Sequence, residues 1–281
     1  MIYIKEVNIS HVVDTEEFIS TLQQAARILN KRSAIVRTKD DLLAVGDVHG
    51  DMDSTSRAIM LRDKLQLDQV VFIGDFVDRG AHQTETLMLL TRELIRNPSH
   101  TQLVRGNHED LTVNYEYGFL DDLQANGIDV KAVNKPLGEF YSSLPIALIK
   151  EGVALLAHGG IPYYDGKVDI NSYQKFGPIV EKTHPHMGIL WNDPAEAQNI
   201  EVDRFGENFR GPRAKTYSEK AVEEFISPLG LKMLIRAHVV QKNGYTWYNN
   251  HTLSIFSANS GRYSGINIAY ANVTDSVEIV R

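Results

Sequence analysis

The sequence predicts a mixed α/β chain whose strands form either one mixed sheet or two stacked sheets, with helices on the flanks. Three observations carry this prediction. The first half alternates strand-like apolar runs with amphipathic helical ones. The second half contains hairpin patterns. Five apolar runs stop on a side chain able to bind a metal: LLAVGDVHG, VVFIGDFVDRG, LVRGNHE, VALLAHGG and LKMLIRAH.

Residues 15 to 31 read as a helix, because Phe18, Ile19, Leu22, Ala25, Ala26 and Leu29 recur at helical spacing behind a capping candidate, Asp14. A strand then ends at Gly46, a helix runs from Arg57 to Leu65, a strand from Val70 to Gly74, a helix from Thr84 to Arg96, and a strand from Gln102 to Gly106. This βαβαβ order implies parallel strands. Further on, PIALIK and VALLAHGG flank Glu151-Gly152, and WYNNHTLSIFS surrounds Asn249-Asn250, so antiparallel pairing is expected to dominate there. A helix from Ser218, its cap, to Ile226 precedes LKMLIRAH. Residues 161 to 215 are less regular and form the natural place for a surface groove. With no repeat, low-complexity tract or flexible linker, residues 1–281 read as one domain, with 1–35 a helical segment packed on it.

The bulk numbers narrow the chemistry. Two hundred and eighty-one residues can bury a large core without staples, and the absence of cysteine removes disulfides, thiolate zinc sites and a cysteine nucleophile. A reducing cytoplasm is the simplest home. Lys5 and Glu6 interrupt the apolar start, so a signal peptide is not expected. No apolar run approaches the ~18 residues of a membrane helix, so no membrane partner is expected. The formal charge of -7 argues against a broad nucleic-acid-binding face, so a phosphate group would be gripped locally.

In α/β folds, ligands gather beyond the carboxyl ends of strands. The candidates there are Asp47 and His49 in GDVHG, Asp75 in GDFVDRG, Asn107 in GNHED, His158 in HGG and His238 in RAH. Taken alone, GDVHG serves equally as a strand-to-helix turn, and a lone histidine after a strand is more often structural. Their joint occurrence in this order points instead to a dinuclear hydrolytic site. Two ions ~3.5 to 4 Å apart would hold a water, lower its pKa and align it for in-line attack on phosphorus. His108 is placed to protonate the leaving group, with Asp78 fixing its tautomer, and Arg79 and Arg210 are candidate donors to phosphate oxygens. His184 and His186, in HPH, read as a surface turn, and Trp191 and Trp247 as packing residues.

On these motifs the chain resembles the phosphoprotein phosphatase family of serine/threonine protein phosphatases, relatives of protein phosphatase 1, protein phosphatase 2A and calcineurin. The likeness runs from about residue 36 to the C-terminus and includes YGFLDDL, LPIA, LWNDP, GENFRG and IFSA. Its compactness is similar to that of prokaryotic, archaeal members. The resemblance implies a central β-sandwich of mixed sheets flanked by helices. It also implies that Asp47, His49 and Asp75 hold one divalent ion and Asp75, Asn107, His158 and His238 the other. The ions implied are manganese, iron or zinc, the substrates phosphoserine and phosphothreonine in proteins. It further implies Arg79 and Arg210 as phosphate clamps and His108 with Asp78 as the acid pair. Two departures stand out. Phe209 replaces the usual Asp of GENFRG, and FSANSGRYSG is two residues longer than the family's loop and lacks its Cys, with Tyr263 as the candidate for the tyrosine beside the metals.

Two other functions compete. A dinucleoside polyphosphate hydrolase shares the first motifs, but GDFVDRG, LWNDP and GENFRG favour the protein phosphatase. A non-catalytic phosphoprotein-binding module would have lost a ligand or the acid, and here all are present. The sequence names no regulatory subunit.

Overall fold

The structure, a computed structural model, describes residues 14–165, 169–181, 184–212 and 214–281. Helix α1 (Thr15–Leu29) starts where the Asp14 side chain accepts the Glu17 N–H at 2.8 Å, and it buries Phe18, Leu22, Ala25 and Leu29. The start of the expected 1–35 segment, including Lys5 and Glu6, lies outside the described residues. The βαβαβ reading corresponds to β2 (Leu42–Val45), α2 (Met52–Lys64), β3 (Gln69–Phe72), α3 (Gln83–Arg96) and β4 (Thr101–Leu103), preceded by a strand the sequence reading did not assign, β1 (Ile35–Thr38). Helix α2 begins five residues before the expected Arg57, because Asp51 caps it through the Ser54 N–H at 2.9 Å. Three further unassigned helices follow: α4 (Leu111–Tyr117), α5 (Phe119–Ala125) and α6 (Val130–Ser143).

Next come the expected hairpin, β5 (Ala147–Lys150) and β6 (Ala154–Leu156), then α7 (Gly188–Trp191) and the short strands β7 (Asp193–Pro194), β8 (Phe205–Glu207) and β9 (Lys215–Tyr217). Helix α8 (Glu219–Ile226) is capped by Ser218 as expected. The chain closes with β10 (Met233–Arg236), the second hairpin β11 (Tyr245–Trp247) and β12 (Thr252–Ile255), and then β13 (Tyr270–Val273) and β14 (Val277–Val280).

Two sheets stack. One runs β1-β5-β6-β10-β12-β11 and the other β14-β13-β2-β3-β4, and a small third sheet, β7-β9-β8, lies in the irregular 161 to 215 region. Side-chain alternation assigns each strand residue a layer. In β2, Leu42 and Ala44 point between the sheets, where they meet Val71, Leu148, Leu156, Ile235 and Leu253. Leu43 and Val45 point outward and are covered by Phe18, Leu22, Leu87, Leu137 and Phe140 of α1, α3 and α6. On the far side, Ala147, Leu155 and Leu234 are covered by Ala221, Val222 and Phe225 of α8. The result is a β-sandwich between helical layers.

Strands β2, β3 and β4 are mutually parallel, as read from their order. In the second half antiparallel pairing joins β5 to β6, β8 to β9, β11 to β12 and β13 to both β14 and β2, but parallel pairs stand among them. Strand β10 lies parallel to both β6 and β12: the long connection through α8 returns the chain from β6 to the same end of the sheet, and the intervening β11, antiparallel to β12, does the same from β10 to β12. That register matters: Leu156 pairs with Ile235, which sets His158 and His238 side by side with ring centroids 5.0 Å apart. Among the described residues, no helix is long and apolar enough to cross a membrane.

Phe18 is fully buried in the layer that joins α1 to the sheet. Phe18→Ala should lower unfolding stability by about 3–5 kcal/mol. Chemical denaturation checks this, and a loss below about 1 kcal/mol would mean that α1 is only loosely attached.

Candidate metal centre

Each candidate ligand follows a strand end. Asp47 lies two residues beyond β2, Asp75 three beyond β3, Asn107 four beyond β4, and His158 and His238 two beyond β6 and β10. With His49, four residues beyond β2, four therefore come from one sheet and two from the other, and they meet where both sheets end. A parallel bridge between Asp47 and Phe256 joins the sheets at that point.

Turning these side chains inward requires backbone that L-residues rarely adopt. Of the seven non-glycine residues with positive φ among the described residues, five are here: His49, Asp75, Asp78, Arg79 and His238. Such strain persists only where the surroundings enforce it. Close contact between loops supplies part of that enforcement: a Cβ on Gly74 would stand 2.3 Å from the Gly106 nitrogen, so the loops after β3 and β4 touch backbone to backbone. Glu109 supplies another part. Its buried carboxylate accepts the N–H groups of Asp75 at 2.8 Å, Phe76 at 2.8 Å and Gly106 at 2.7 Å, which straps the two loops together.

The imidazoles are oriented by backbone carbonyls. His49 Nδ1 lies 2.9 Å from Val77 O, leaving Nε2 to face Asp75 Oδ2 at 3.5 Å and Asp47 Oδ2 at 3.9 Å. His158 Nδ1 lies 2.7 Å from Ile73 O, while its Nε2 lies 2.9 Å from Asn107 Oδ1 and 3.3 Å from Asp75 Oδ1. The His238 N–H donates to Asp47 Oδ1 at 2.8 Å, yet its buried ring nitrogen Nε2 has no hydrogen-bond partner. Two groups of ligand atoms, each within 4.8 Å, result: His49, Asp75 and His108, and Asp75, His158 and His238. Asp75 is common to both.

This donor set fits two divalent ions. It is made of oxygen and nitrogen, which suits manganese, iron or zinc, and an ion would satisfy the orphaned His238 nitrogen. The electrostatics agree. Burial and the neighbouring Asp75 charge raise Asp47 to about 6. Burial works to raise Asp75 too, but the charges of His158 and His108 outweigh it and hold Asp75 well below the usual carboxylate range. Burial drives His49 down to about 3 and His238 well below its ordinary value, so both are neutral and ready to ligate. Burial also acts to lower His158, but the Asp75 charge and hydrogen bond, with Asp47, overcome it and lift His158 to about 9. Burial and Asp75 raise Glu109 to about 7.

The remaining expected residues ring this cluster. His108 Nδ1 is 2.6 Å from Asp78 Oδ2, and its Nε2 faces Asp75 Oδ2 at 3.9 Å. Asp78 also accepts from Asn114 Nδ2 at 2.9 Å and the Phe119 N–H at 3.2 Å, and the Tyr141 hydroxyl donates to Asn114 Oδ1 at 2.9 Å. Arg79 donates to the Tyr263 hydroxyl at 3.1 Å and lies over Tyr117, whose ring also meets His108. Tyr263 stacks on His49, with centroids 5.3 Å apart. Arg210 donates through Nε to Asp193 Oδ2 at 2.7 Å, and the other Asp193 oxygen accepts from the buried Arg236 at 2.9 Å. Phe209, at the departure from the family pattern, is 75% exposed beside Arg210. His184 and His186 stand apart and pack against Phe176 and Tyr173, while Trp191 meets the edge of His238.

Sequence reasoning passed over Glu109, Asn114, Tyr117, Asp193 and Arg236. The GNHED and LWNDP motifs contain Glu109 and Asp193, so the motifs themselves were the available signal.

The sequence model of calcineurin-like phosphoesterases matches residues 41–242. The chain belongs to this family. Among calcineurin-like phosphoesterases in the wider sense, a probable serine/threonine-protein phosphatase of Encephalitozoon cuniculi (strain GB-M1) is 28% identical over 294 residues, covering 98% of this chain and 61% of that protein. The chain thus spans less than two thirds of that relative's length. A serine/threonine phosphatase structure from Saccharomyces cerevisiae, similar to human PP5, superposes with a TM-score of 0.80 at 22% identity, over 95% of this chain and 89% of that one. A cold-active protein-tyrosine phosphatase from a Shewanella species gives a TM-score of 0.55 at 16% identity, over 90% and 84% of the two chains. Both likenesses establish the phosphoesterase sandwich.

Metal ligands must be deprotonated, so an ion held by His158 would displace its proton. Calorimetric titration of metal-stripped protein with Mn²⁺ at pH 7, in buffers of differing ionisation enthalpy, should register release of at least about one proton per molecule. Because the His158 value is raised to about 9, the release should shrink as pH climbs through that value. Proton-neutral binding at pH 7 would contradict this electrostatic assignment.

Proposed function

We propose that this phosphoesterase is a metal-dependent serine/threonine protein phosphatase that hydrolyses phosphoserine and phosphothreonine monoesters in proteins. Asp47, His49 and Asp75 hold one ion in this reading, and Asp75, Asn107, His158 and His238 the other, with manganese the first choice and iron or zinc the alternatives. The observation that carries it is the position of His108: one ring nitrogen is held by Asp78 while the other faces the shared carboxylate Asp75 at 3.9 Å. The Encephalitozoon relative's name supports the same substrate class. We further take residues 1–281 as one catalytic domain working in the cytoplasm.

Two divalent ions at this site, when bound, supply positive charge and lower the pKa of water. The chain's own groups do the rest. Arg79 and Arg210, each anchored by one hydrogen bond, direct their remaining N–H groups to the phosphate oxygens, where charge grows in the transition state. His108 delivers a proton from Nε2 to the leaving serine or threonine alkoxide. Asp78 keeps the proton on Nδ1 beforehand and stabilises the cation when the ring is doubly protonated. Tyr263 holds Arg79 in place through its hydroxyl and covers His49 with its ring.

Side-by-side turnover of a phosphoserine peptide and diadenosine tetraphosphate tests the substrate class, and a large preference for the nucleotide would reverse it. On the peptide, His108→Asn should lower kcat roughly 100- to 10,000-fold with little change in KM, because the proton is needed only in the transition state. An unchanged kcat would remove the acid role.

A further inference from the structure

Of the ten phenylalanines in the chain, eight are buried, Phe205 is half-buried and Phe209 alone is exposed, at 75%. Burial is the rule for this side chain, so the exception calls for a reason. It occurs in GENFRG, one residue before Arg210 and at the position where the family pattern has Asp.

A fastened turn displays the ring. Asn208 O accepts the Gly211 N–H at 2.9 Å, which puts Phe209 and Arg210 at the two central positions. Asn208 Oδ1 accepts the Arg210 N–H at 2.9 Å, and its Nδ2 donates to Asp193 Oδ2 and to Lys215 O, both at 3.2 Å. Gln198 Oε1 accepts the Phe209 N–H at 3.2 Å. The guanidinium carbon of Arg210 lies 5.2 Å from the centre of the Phe209 ring, and Arg210 Nε donates to Asp193. The aromatic ring and the phosphate clamp are therefore held together, on one turn tied to the same buried carboxylate.

A lone exposed apolar side chain is ordinary, and a ring beside Arg210 can serve merely to steady the guanidinium. Location argues for more. A phosphate oxygen at a hydrogen-bond distance of about 2.9 Å from a terminal nitrogen of Arg210 lies within about 10 Å of the ring centre. Two residues of extended chain span about 7 Å, so the neighbours of a phosphoserine whose phosphate meets Arg210 come within reach of Phe209. An Asp at this position would attract a cationic side chain of the substrate. A phenyl ring instead offers apolar area, which gains by being covered.

We propose that Phe209 is a specificity-determining residue: its ring receives an apolar side chain lying within two residues of the phosphoserine, so that the enzyme favours phosphopeptides with an aliphatic residue there. The inference rests on the phosphatase reading, which brings the phosphate to Arg210. A rigid aromatic surface loses little freedom when a partner side chain covers it, and the missing carboxylate removes the attraction for a competing lysine.

The probes are phosphoserine peptides of one sequence in which leucine, serine or lysine occupies one of the two positions on either side of the phosphoserine. Affinity is read by fluorescence anisotropy on Mn²⁺-loaded protein carrying His108→Asn, so that binding is measured without turnover. At one position or more, leucine should bind at least about fivefold more tightly than serine. Adding Phe209→Ala should cut that ratio below about twofold, Phe209→Leu should keep most of it, and Phe209→Asp should turn the preference toward lysine. A ring that only steadied Arg210 would, on removal, weaken all peptides together and leave the ratio intact. Thermal melting confirms that each variant is folded. No leucine preference at any position, a preference that survives Phe209→Ala, or no peptide binding at all would overturn the proposal. Turnover of the same peptides by the unaltered enzyme tests the phosphatase reading separately: leucine-selective binding without turnover would sink that reading and leave the role of Phe209 standing.

Discussion

Asp75 is the point on which the site turns. Its side chain is 2% exposed, its backbone φ of 54° is one that few L-residues adopt, and its oxygens face His49, His108 and His158. A second buried carboxylate, Asp47, shares the same space and is raised to about 6 by burial and by Asp75. Two like charges out of water are costly unless cations face them. In the protein alone His158 supplies that compensation by holding a proton, and metal ions would replace it with charge that does not depend on pH near neutrality. The same carboxylate that is costly in the bare protein would be offset by divalent ions at this site.

Keeping Asp75 in this position requires both sheets. The strand carrying it is parallel to its neighbours β2 and β4, which brings Asp47 and Asn107 to the same end. The facing sheet contributes His158 and His238 through the pairing of β6 with β10. The 15 residues of the apolar layer between the sheets therefore act on the chemistry as well as on stability, since sliding one sheet against the other would separate the ligands. Glu109 serves as the local strap, with three backbone N–H groups from two loops on one carboxylate. Arg236 and Asp193 do the corresponding work on the other side, linking Gly159 next to His158 with Arg210 on the rim.

What the sequence revealed and what it hid follow from range. Asp47, Asp75, Asn107, His158 and His238 each stand at the end of an apolar run, a signal contained within about ten residues, so their place at strand ends was legible. The layered sandwich was legible as well, though only as one of two arrangements until the resemblance was invoked. Helices α4 and α5 were hidden because Gly118, at φ 98°, breaks the pattern between them, and α6 because Pro136 sits inside it and reads as a breaker. Strand β1 is four residues long with a mostly half-exposed face, too short for periodicity to register. The partners of the Glu109 and Arg236 side chains lie 33 to 34 and 18 to 77 residues away apart from Gly106, and no local pattern encodes such pairings.

The central claim is that the scattered ligands converge on two ions sharing Asp75. Anomalous diffraction at the manganese edge, from crystals grown with Mn²⁺, tests it most directly. The account requires two peaks ~3.5–4 Å apart with an Asp75 oxygen between them. A single peak, or two peaks of which Asp75 touches only one, would contradict it.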